Sequence, residues 1–340
     1  MSAKKNSASA KSQLELVLPA TSANLGPAFD AAALAFELFL KIRARIADEF
    51  SITASGRDAE ICSQIENHLI LTTYRDVLQQ EGKPVGPLAL CIDNQIPIGK
   101  GCGSSAAARL AGIALAVHFG KLRWTDSRII GEASRREHHP DNAAACWMGG
   151  LAVARMSGDG DAQVASVAPK GKWPLLLAVP DDALPTEEAR RVLPSEYSRA
   201  DAVTNVQNSM LLLAAFVQGR RDLLASALED RMHQPYRASL CPLLPALQKL
   251  AGRSPGILGA VLSGAGPSVL VFLGEKVKDE KERDGKGKDQ KVKAGKVSAE
   301  RAVAQVGAYL LAHGLKAELI STAITRQGAG QGRAWVKRRS

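Results

Sequence analysis

The run Pro97-Ile-Gly-Lys-Gly-Cys-Gly-Ser-Ser-Ala-Ala, residues 97–107, constrains this chain more than any other stretch. The segment before it, PLALCIDNQIPIG at 87–99, reads as a strand. The segment after it, AAARLAGIALAVHFG at 106–120, reads as a helix apolar almost all round, and therefore buried. A strand that runs through glycines directly into a helix presents free N–H groups and the positive end of the helix dipole at a tight turn. Such a turn suits a phosphate. Ser104 and Ser105 add hydroxyls that can reach a phosphate or a Mg²⁺ ion. The run is not a Walker A loop, because Gly101 follows Lys100, and it is not GxGxxG. On the residues alone, phosphate binding stands beside a plainer reading, a flexible turn with a serine cap.

Three further clusters carry chemistry. EASRREHHPDN, from Glu132 to Asn142, crowds His139, Asp141 and Asn142 at a helix end next to Pro140. Without HExxH spacing, a zinc site is not indicated. Glu132 lies on a helix (expected from Thr125, as N-cap, to Arg136) and could face the serines of the glycine loop. A carboxylate and a serine hydroxyl are suitable oxygen ligands for Mg²⁺. The other two clusters are Thr21-Ser-Ala-Asn-Leu-Gly-Pro-Ala-Phe-Asp30 and Leu262-Ser-Gly-Ala-Gly-Pro-Ser268. One such loop is weak evidence, whereas three in one chain point to loops that converge on a phosphorylated ligand.

The 340 residues favour two domains. Strands are expected at 14–18, halted by Pro19, and at 34–46, 50–56, 150–156, 174–180, 257–263, 268–274 and 316–324. Helices are expected at 67–82, 201–217, 220–232, 243–252 and 298–313. Neighbouring strands look hairpin-like rather than βαβ, which suggests an α+β fold. The net charge of +10 sits on tails and one insert: three Lys in 1–13, ten basic against seven acidic side chains in 275–301, and five basic with no acid in 326–340. A nucleic-acid partner is therefore not expected, and aromatics at 4% do not make a base-stacking platform. Residues 275–298, rich in Lys, Asp and Gly, have almost nothing to bury and read as a disordered insert. No membrane span or secretory signal is expected. Five cysteines without CxxC spacing fit a reducing cytoplasm.

Taken in order, these stretches resemble the GHMP kinase superfamily. PATSANLGPAFD at 19–30, HPDN at 139–142, TEEARRVLP at 186–194 and EDRMHQPYR at 229–237 make the chain similar, within it, to the homoserine kinase family. The resemblance implies a two-domain α+β fold, with an N-terminal domain like domain 2 of ribosomal protein S5 and a ferredoxin-like C-terminal domain. The expected boundaries are a basic tail at 1–13, an ATP-binding domain at 14–170, a C-terminal domain at 171–326 and a basic tail at 327–340. It implies transfer of phosphate from ATP to the hydroxyl of L-homoserine, the threonine-pathway step, with Mg²⁺, in the cytoplasm and as a homodimer. Alternatives are another GHMP kinase acting on a mevalonate-type or sugar substrate, or a non-catalytic GHMP regulator.

Residue by residue, the resemblance gives ATP to Asn67, Pro97, Gly99, Lys100, Gly101, Cys102, Gly103, Ser104 and Ser105. It gives Mg²⁺ to Ser105 and Glu132. The substrate side falls to Asn24, Asp30, His139, Asn142 and Gly264, with Asp30 on the ammonium and Arg190 and Arg237 on the carboxylate. Asn142, Thr186 and Asp141 would stand beside the reacting hydroxyl. Ala28, where the family has a Gly, raises the question whether the substrate loop needs a positive φ there.

Overall fold

The computed structural model describes residues 13–254, 256–274 and 288–332, with backbone alone for 288–298. The chain opens on a long antiparallel pair, β1 (Gln13–Asn24) and β2 (Ala28–Ile46). β1 does not stop at Pro19 as expected. It passes through with a register shift between Pro19 and Ala20. A proline cannot donate to a ladder, so a bulge on a strand paired on one side alone accommodates it.

Next come β3 (Ser51–Gly56), α1 (Ala59–Ser63), α2 (Leu69–Gln80), β4 (Leu88–Asn94), α3 (Ser104–Phe119), α4 (Asp126–Glu137), α5 (Asp141–Met148), β5 (Leu151–Met156) and β6 (Ala162–Val167). The strands form one sheet in the order β3-β4-β2-β5-β6, with β1 also on β2. β6 was not expected; its alternating apolar residues are few and only Ala162 is buried. α3 is buried from Ala106 to Val117 on nearly every face, as its sequence demands. Thr125 caps α4, its hydroxyl accepting the Arg128 N–H at 3.2 Å.

The second half holds β7 (Pro174–Val179), α6 (Thr186–Arg191), α7 (Arg199–Gln218), a 3₁₀ turn (Arg221–Leu223), α8 (Leu224–Ala227), α9 (Gln234–Arg237), α10 (Leu243–Ala251), β8 (Ile257–Leu262), β9 (Val269–Leu273), α11 (Lys288–Ala312) and β10 (Glu318–Ala323). β10-β7-β9-β8 is a wholly antiparallel sheet. Its β7 and β9 are buried along their length, so they read as continuous apolar runs.

Three expectations need correction. The helix at 220–232 is broken: the Asp230 carboxylate accepts the N–H groups of Met232, His233 and Gln234 at 2.8, 3.1 and 2.7 Å. A side-chain acceptor that competes for backbone donors ends a helix, and here it starts the short turn that carries His233 and Arg237. Residues 275–287 of the Lys-rich insert lie outside the described residues, but 288–298 open α11 rather than forming an unstructured loop. Lys, Gln and Ala there favour the helix that the apolar residues beyond 299 anchor. Finally, the expected tail from 327 starts inside the fold. Thr325 pairs with Ala35 and Gly150, a 3₁₀ turn at Ala329–Gly332 follows, and Gln331 Nε2 donates to the Met148 carbonyl at 3.0 Å. Residues 325–332 thus return to the first sheet. Residues 1–12 and 333–340 lie outside the described residues.

Candidate active site

Three loops meet between the two sheets. The glycine loop comes first. Gly99, Gly101 and Gly103 have φ of 70°, 74° and 71°, a region that only glycine enters freely. Gly101 also has no room for a Cβ, which would strike the backbone oxygens of Ser263 and Gly266. The loop ends on Gly103, the cap of α3, with no side chain bonded to the first turn. Those N–H groups and the dipole of a sixteen-residue helix therefore face the cleft.

The second loop is Asn24–Asp30, which turns β1 into β2. Asn24, Leu25 and Asp30 adopt left-handed φ of 69°, 46° and 52°. Ala28 does not, so alanine costs no backbone strain there. Asn24 Nδ2 donates to the Gly264 carbonyl at 2.9 Å, and its Oδ1 accepts the Asp30 N–H at 2.9 Å. The third loop, Ser263–Ser268, closes the triangle. Ser263 Oγ donates to the Gly101 carbonyl at 2.8 Å. The Thr21 N–H bonds the Cys102 carbonyl at 3.1 Å, and Thr21 Oγ1 donates to Asn142 Oδ1 at 2.6 Å.

The resulting cavity, about 170 Å³, is lined by most of the expected residues: Asn24, Asp30, Gly99, Gly101, Gly103, Ser104, Ser105, His139, Asp141, Asn142, Thr186, Arg190, Arg237 and Gly264. His139 and Asp141 form a pair, Nδ1 to Oδ1 at 2.7 Å. Burial lowers the His139 pKa, but the hydrogen bond and charge of Asp141 outweigh it and leave a net rise. Asp141 Oδ2 is buried without a hydrogen-bond partner. Asp30, His139 and Asp141 offer ligand atoms within 4.8 Å of one another.

Asp30 and Arg190 pair with each other, at 2.8 and 3.1 Å across both oxygens. Arg237 is buried deeper. Its Nε donates to the Ala189 carbonyl at 2.8 Å, and its Nη1 lies 3.2 Å from His233 Nδ1. Burial, with the Arg190 charge beside it, pushes the Arg237 pKa down to about 10. Phe29, which sequence reasoning missed, holds both guanidinium groups 5.5 Å from its ring centre and stacks on His233 at 5.4 Å. An aromatic face attracts cations and relieves the repulsion of two like charges. The clue was present in the sequence, a phenylalanine next to Asp30 in a polar loop.

Five expected residues stand elsewhere. Glu132 does not face the serines, because its carboxylate is held by Arg135 and by Arg136 Nε, the latter at 2.8 Å. Glu137, one and a half turns further along α4, accepts the Ser105 hydroxyl at 2.6 Å and also takes Arg109. On a helix, a shift of five residues moves a side chain to a different face, and only the packing of α3 on α4 selects the right one. Cys102 is fully buried, its thiol pushed up to about 12 by burial, so its side chain props the loop from below. Lys100 Nζ donates to the Asp181 carbonyl. Asn67 is exposed in the turn before α2 and does not line the cavity; neither does Pro97, which is buried beneath it.

A glycine loop on a helix N-terminus, paired with a second glycine turn from the other sheet, defines a cleft built to bind phosphate. The family described as "GHMP kinases N terminal domain" matches residues 68–150, and "GHMP kinases C terminal" matches 212–287. The chain is 46% identical to the homoserine kinase of Solibacter usitatus over 261 residues, 77% of this chain and 85% of that relative. It is 39% identical to that of Synechocystis sp. over 264 residues, 76% and 85% of the two. The crystal structure of homoserine kinase from Cytophaga hutchinsonii has the same fold, with a TM-score of 0.73 at 21% identity over 93% of this chain and 96% of that one. The chain belongs to the homoserine kinase family of the GHMP kinases.

Proposed function

We propose that the protein transfers the γ-phosphate of ATP to the side-chain hydroxyl of L-homoserine, giving O-phospho-L-homoserine for threonine synthesis in the cytoplasm. The observation that carries this reading is the pairing, in one cavity, of a phosphate-binding helix terminus with a carboxylate and two arginines. An α-amino acid head group carries both charges. Its ammonium replaces Arg190 as the partner of Asp30, and its carboxylate replaces Asp30 as the partner of Arg190 and lies against Arg237. The exchange leaves no buried charge unpaired, whereas a mevalonate-type acid or a sugar satisfies only part of the set.

The glycine loop and the α3 N-terminus receive the phosphates through backbone N–H groups. The donor set of Glu137 and Ser105, a carboxylate and a hydroxyl, fits Mg²⁺. Bound there, Mg²⁺ would neutralise charge on the β- and γ-phosphates. Asn142, fixed by Thr21, and Thr186, at the start of α6, orient the attacking hydroxyl. A loose transition state asks mainly for positioning, so strong base catalysis is not required. Asp141 Oδ2, buried and unpaired in the cavity wall, is available as a proton acceptor.

A coupled ADP-release assay with homoserine, serine, threonine and mevalonate tests the reading. Turnover confined to homoserine supports it, and faster turnover of mevalonate would sink it. No described helix is long and apolar enough to cross a membrane.

A further inference from the structure

Arg237 is buried, yet among the described residues no carboxylate lies within ion-pair distance of its guanidinium. A buried charge normally takes a counter-ion. The two acids nearby are occupied. Asp30 gives both oxygens to Arg190, and Asp230 accepts the N–H groups of Met232, His233 and Gln234. Both partners that Arg237 does have carry no charge, the Ala189 carbonyl on Nε and the His233 ring on Nη1. Nη2 makes no bond within the protein, and Arg237 stands in the cavity wall, so the Nη2 N–H groups are left for a ligand.

The surroundings of His233 fix its chemical form. The ring is wholly buried. Nε2 faces two groups that only accept, the Gly26 carbonyl at 2.8 Å and the Asp230 carboxylate at 3.4 Å, so it carries the proton. Nδ1 faces an arginine N–H, which only donates, so it carries the lone pair. Burial, helped by the Arg237 charge and opposed by that of Asp230, holds the ring's pKa down at about 4, and no second proton is bound at neutral pH.

We propose that His233 is a positioning residue of the substrate site: its neutral ring orients Arg237 through Nδ1 and leaves the guanidinium charge uncompensated for an incoming carboxylate. A carboxylate side chain in this place would orient Arg237 equally well but would neutralise it, and a ligand carboxylate would then meet a satisfied pair. An imidazolium would have no lone pair to offer and would repel the guanidinium. The same ring ties Arg237 to the β1–β2 turn, through the Gly26 carbonyl and through Phe29, stacked on it at 5.4 Å. The turn that carries Asp30 and the arginine that reads the carboxylate therefore keep a fixed separation. That the carboxylate is homoserine's rests on the proposed function; the form of the ring and its bond to Arg237 do not.

The test compares His233→Phe and His233→Gln with wild type. Phe keeps the ring, the volume and the stacking but neither hydrogen bond. Gln is neutral and offers an acceptor to Arg237 and a donor to Gly26. His233→Phe should raise KM for homoserine roughly 10- to 100-fold, with KM for ATP and kcat within about threefold. The amino alcohol without the carboxylate should lose far less, and His233→Gln should recover most of the homoserine KM. A ring that serves folding alone would lower thermal stability and leave the ratio of the two KM values unchanged. Equal penalties on homoserine and ATP overturn the proposal, as does a His233→Gln no better than His233→Phe. If His233→Phe fails to fold, ¹⁵N NMR of the histidine rings in the full chain decides, with the His233 signals assigned by their loss in His233→Gln. Neutral pH should show a protonated Nε2 and a bare Nδ1 whose shift moves in Arg237→Met, and an Nδ1–H ring or an imidazolium overturns the proposal. Homoserine left unphosphorylated by wild type would refute the kinase reading alone, because the nitrogen shifts still decide the role of the ring.

Discussion

Replacing Arg237 with Met should separate substrate reading from folding. Arg237 is 1% exposed, and burial, with the Arg190 charge beside it, pulls its pKa down from the ordinary arginine range to about 10. That drop disfavours the charged form by on the order of 3 kcal/mol. Methionine has a similar volume and removes the charge. It also gives up the bonds to the Ala189 carbonyl and the His233 ring, each worth about 1.5 kcal/mol because the donor is charged. The opposing contributions nearly cancel, so urea unfolding should report a stability within about 2 kcal/mol of wild type, on either side. The substrate site fares differently. A charge-assisted bond is worth about 1.5–3 kcal/mol, so KM for homoserine should rise roughly 10- to 150-fold while KM for ATP stays within about twofold. The decarboxylated amino alcohol should lose little on mutation. Coupled ADP release with both substrates, beside urea titration of both proteins, makes the comparison. Equal penalties on the two substrates would refute carboxylate reading by Arg237. A stability loss above about 3 kcal/mol would show that the guanidinium is needed for the fold, as a broken buried pair would be.

Glu137→Gln should raise the Mg²⁺ concentration for half-maximal rate and lower kcat about 100-fold, whereas Glu132→Gln should leave the Mg²⁺ curve in place and lower thermal stability instead; a Mg²⁺ titration of both distinguishes the carboxylates. Gly103→Ala should cost more than about 2 kcal/mol by urea unfolding and abolish most activity, because a left-handed alanine is strained and its Cβ collides with the Thr21 hydroxyl that holds Asn142; an active, stable variant would contradict the loop geometry. Burial, opposed by the Asp230 charge, depresses the His233 pKa to about 4. The unfolded chain takes up this proton from about pH 6.5 downward and the native protein does not, so its contribution is complete above 6.5 and declines as pH falls toward 4. His233→Gln should flatten that decline in urea unfolding at pH 7, 5.5 and 4.5, and parallel curves for the two proteins would remove His233 as the source.

The sequence alone determined whatever depends on neighbours along the chain. A glycine run between an apolar strand and an all-apolar helix marks a tight turn at the start of the buried α3, and the family motifs, not the run alone, single out the phosphate reading over a plain capped turn. The family motifs carried these residues into the cavity for the same reason, since Asn24 and Asp30 flank the β1–β2 turn and His139 and Asn142 flank the start of α5, places whose local shape their own sequence sets. Tertiary structure decided what depends on which face of an element meets which neighbour. Glu132 and Glu137 share one helix and one charge, and only the packing of α3 against α4 puts the second beside Ser105. Cys102 and Gly101 are adjacent, yet the cavity sees only the glycine, because the Cys102 side chain turns into the core. Asp30 and Arg190 lie 160 residues apart, and no periodicity could announce that they pair. The return of residues 325–332 to the first sheet was hidden likewise, since a Gly-rich segment looks solvated until a Trp147 surface is there to receive it. Local physics fixes conformation over a few residues, whereas long-range contacts are settled by burial and charge pairing that exist only once the chain has closed on itself.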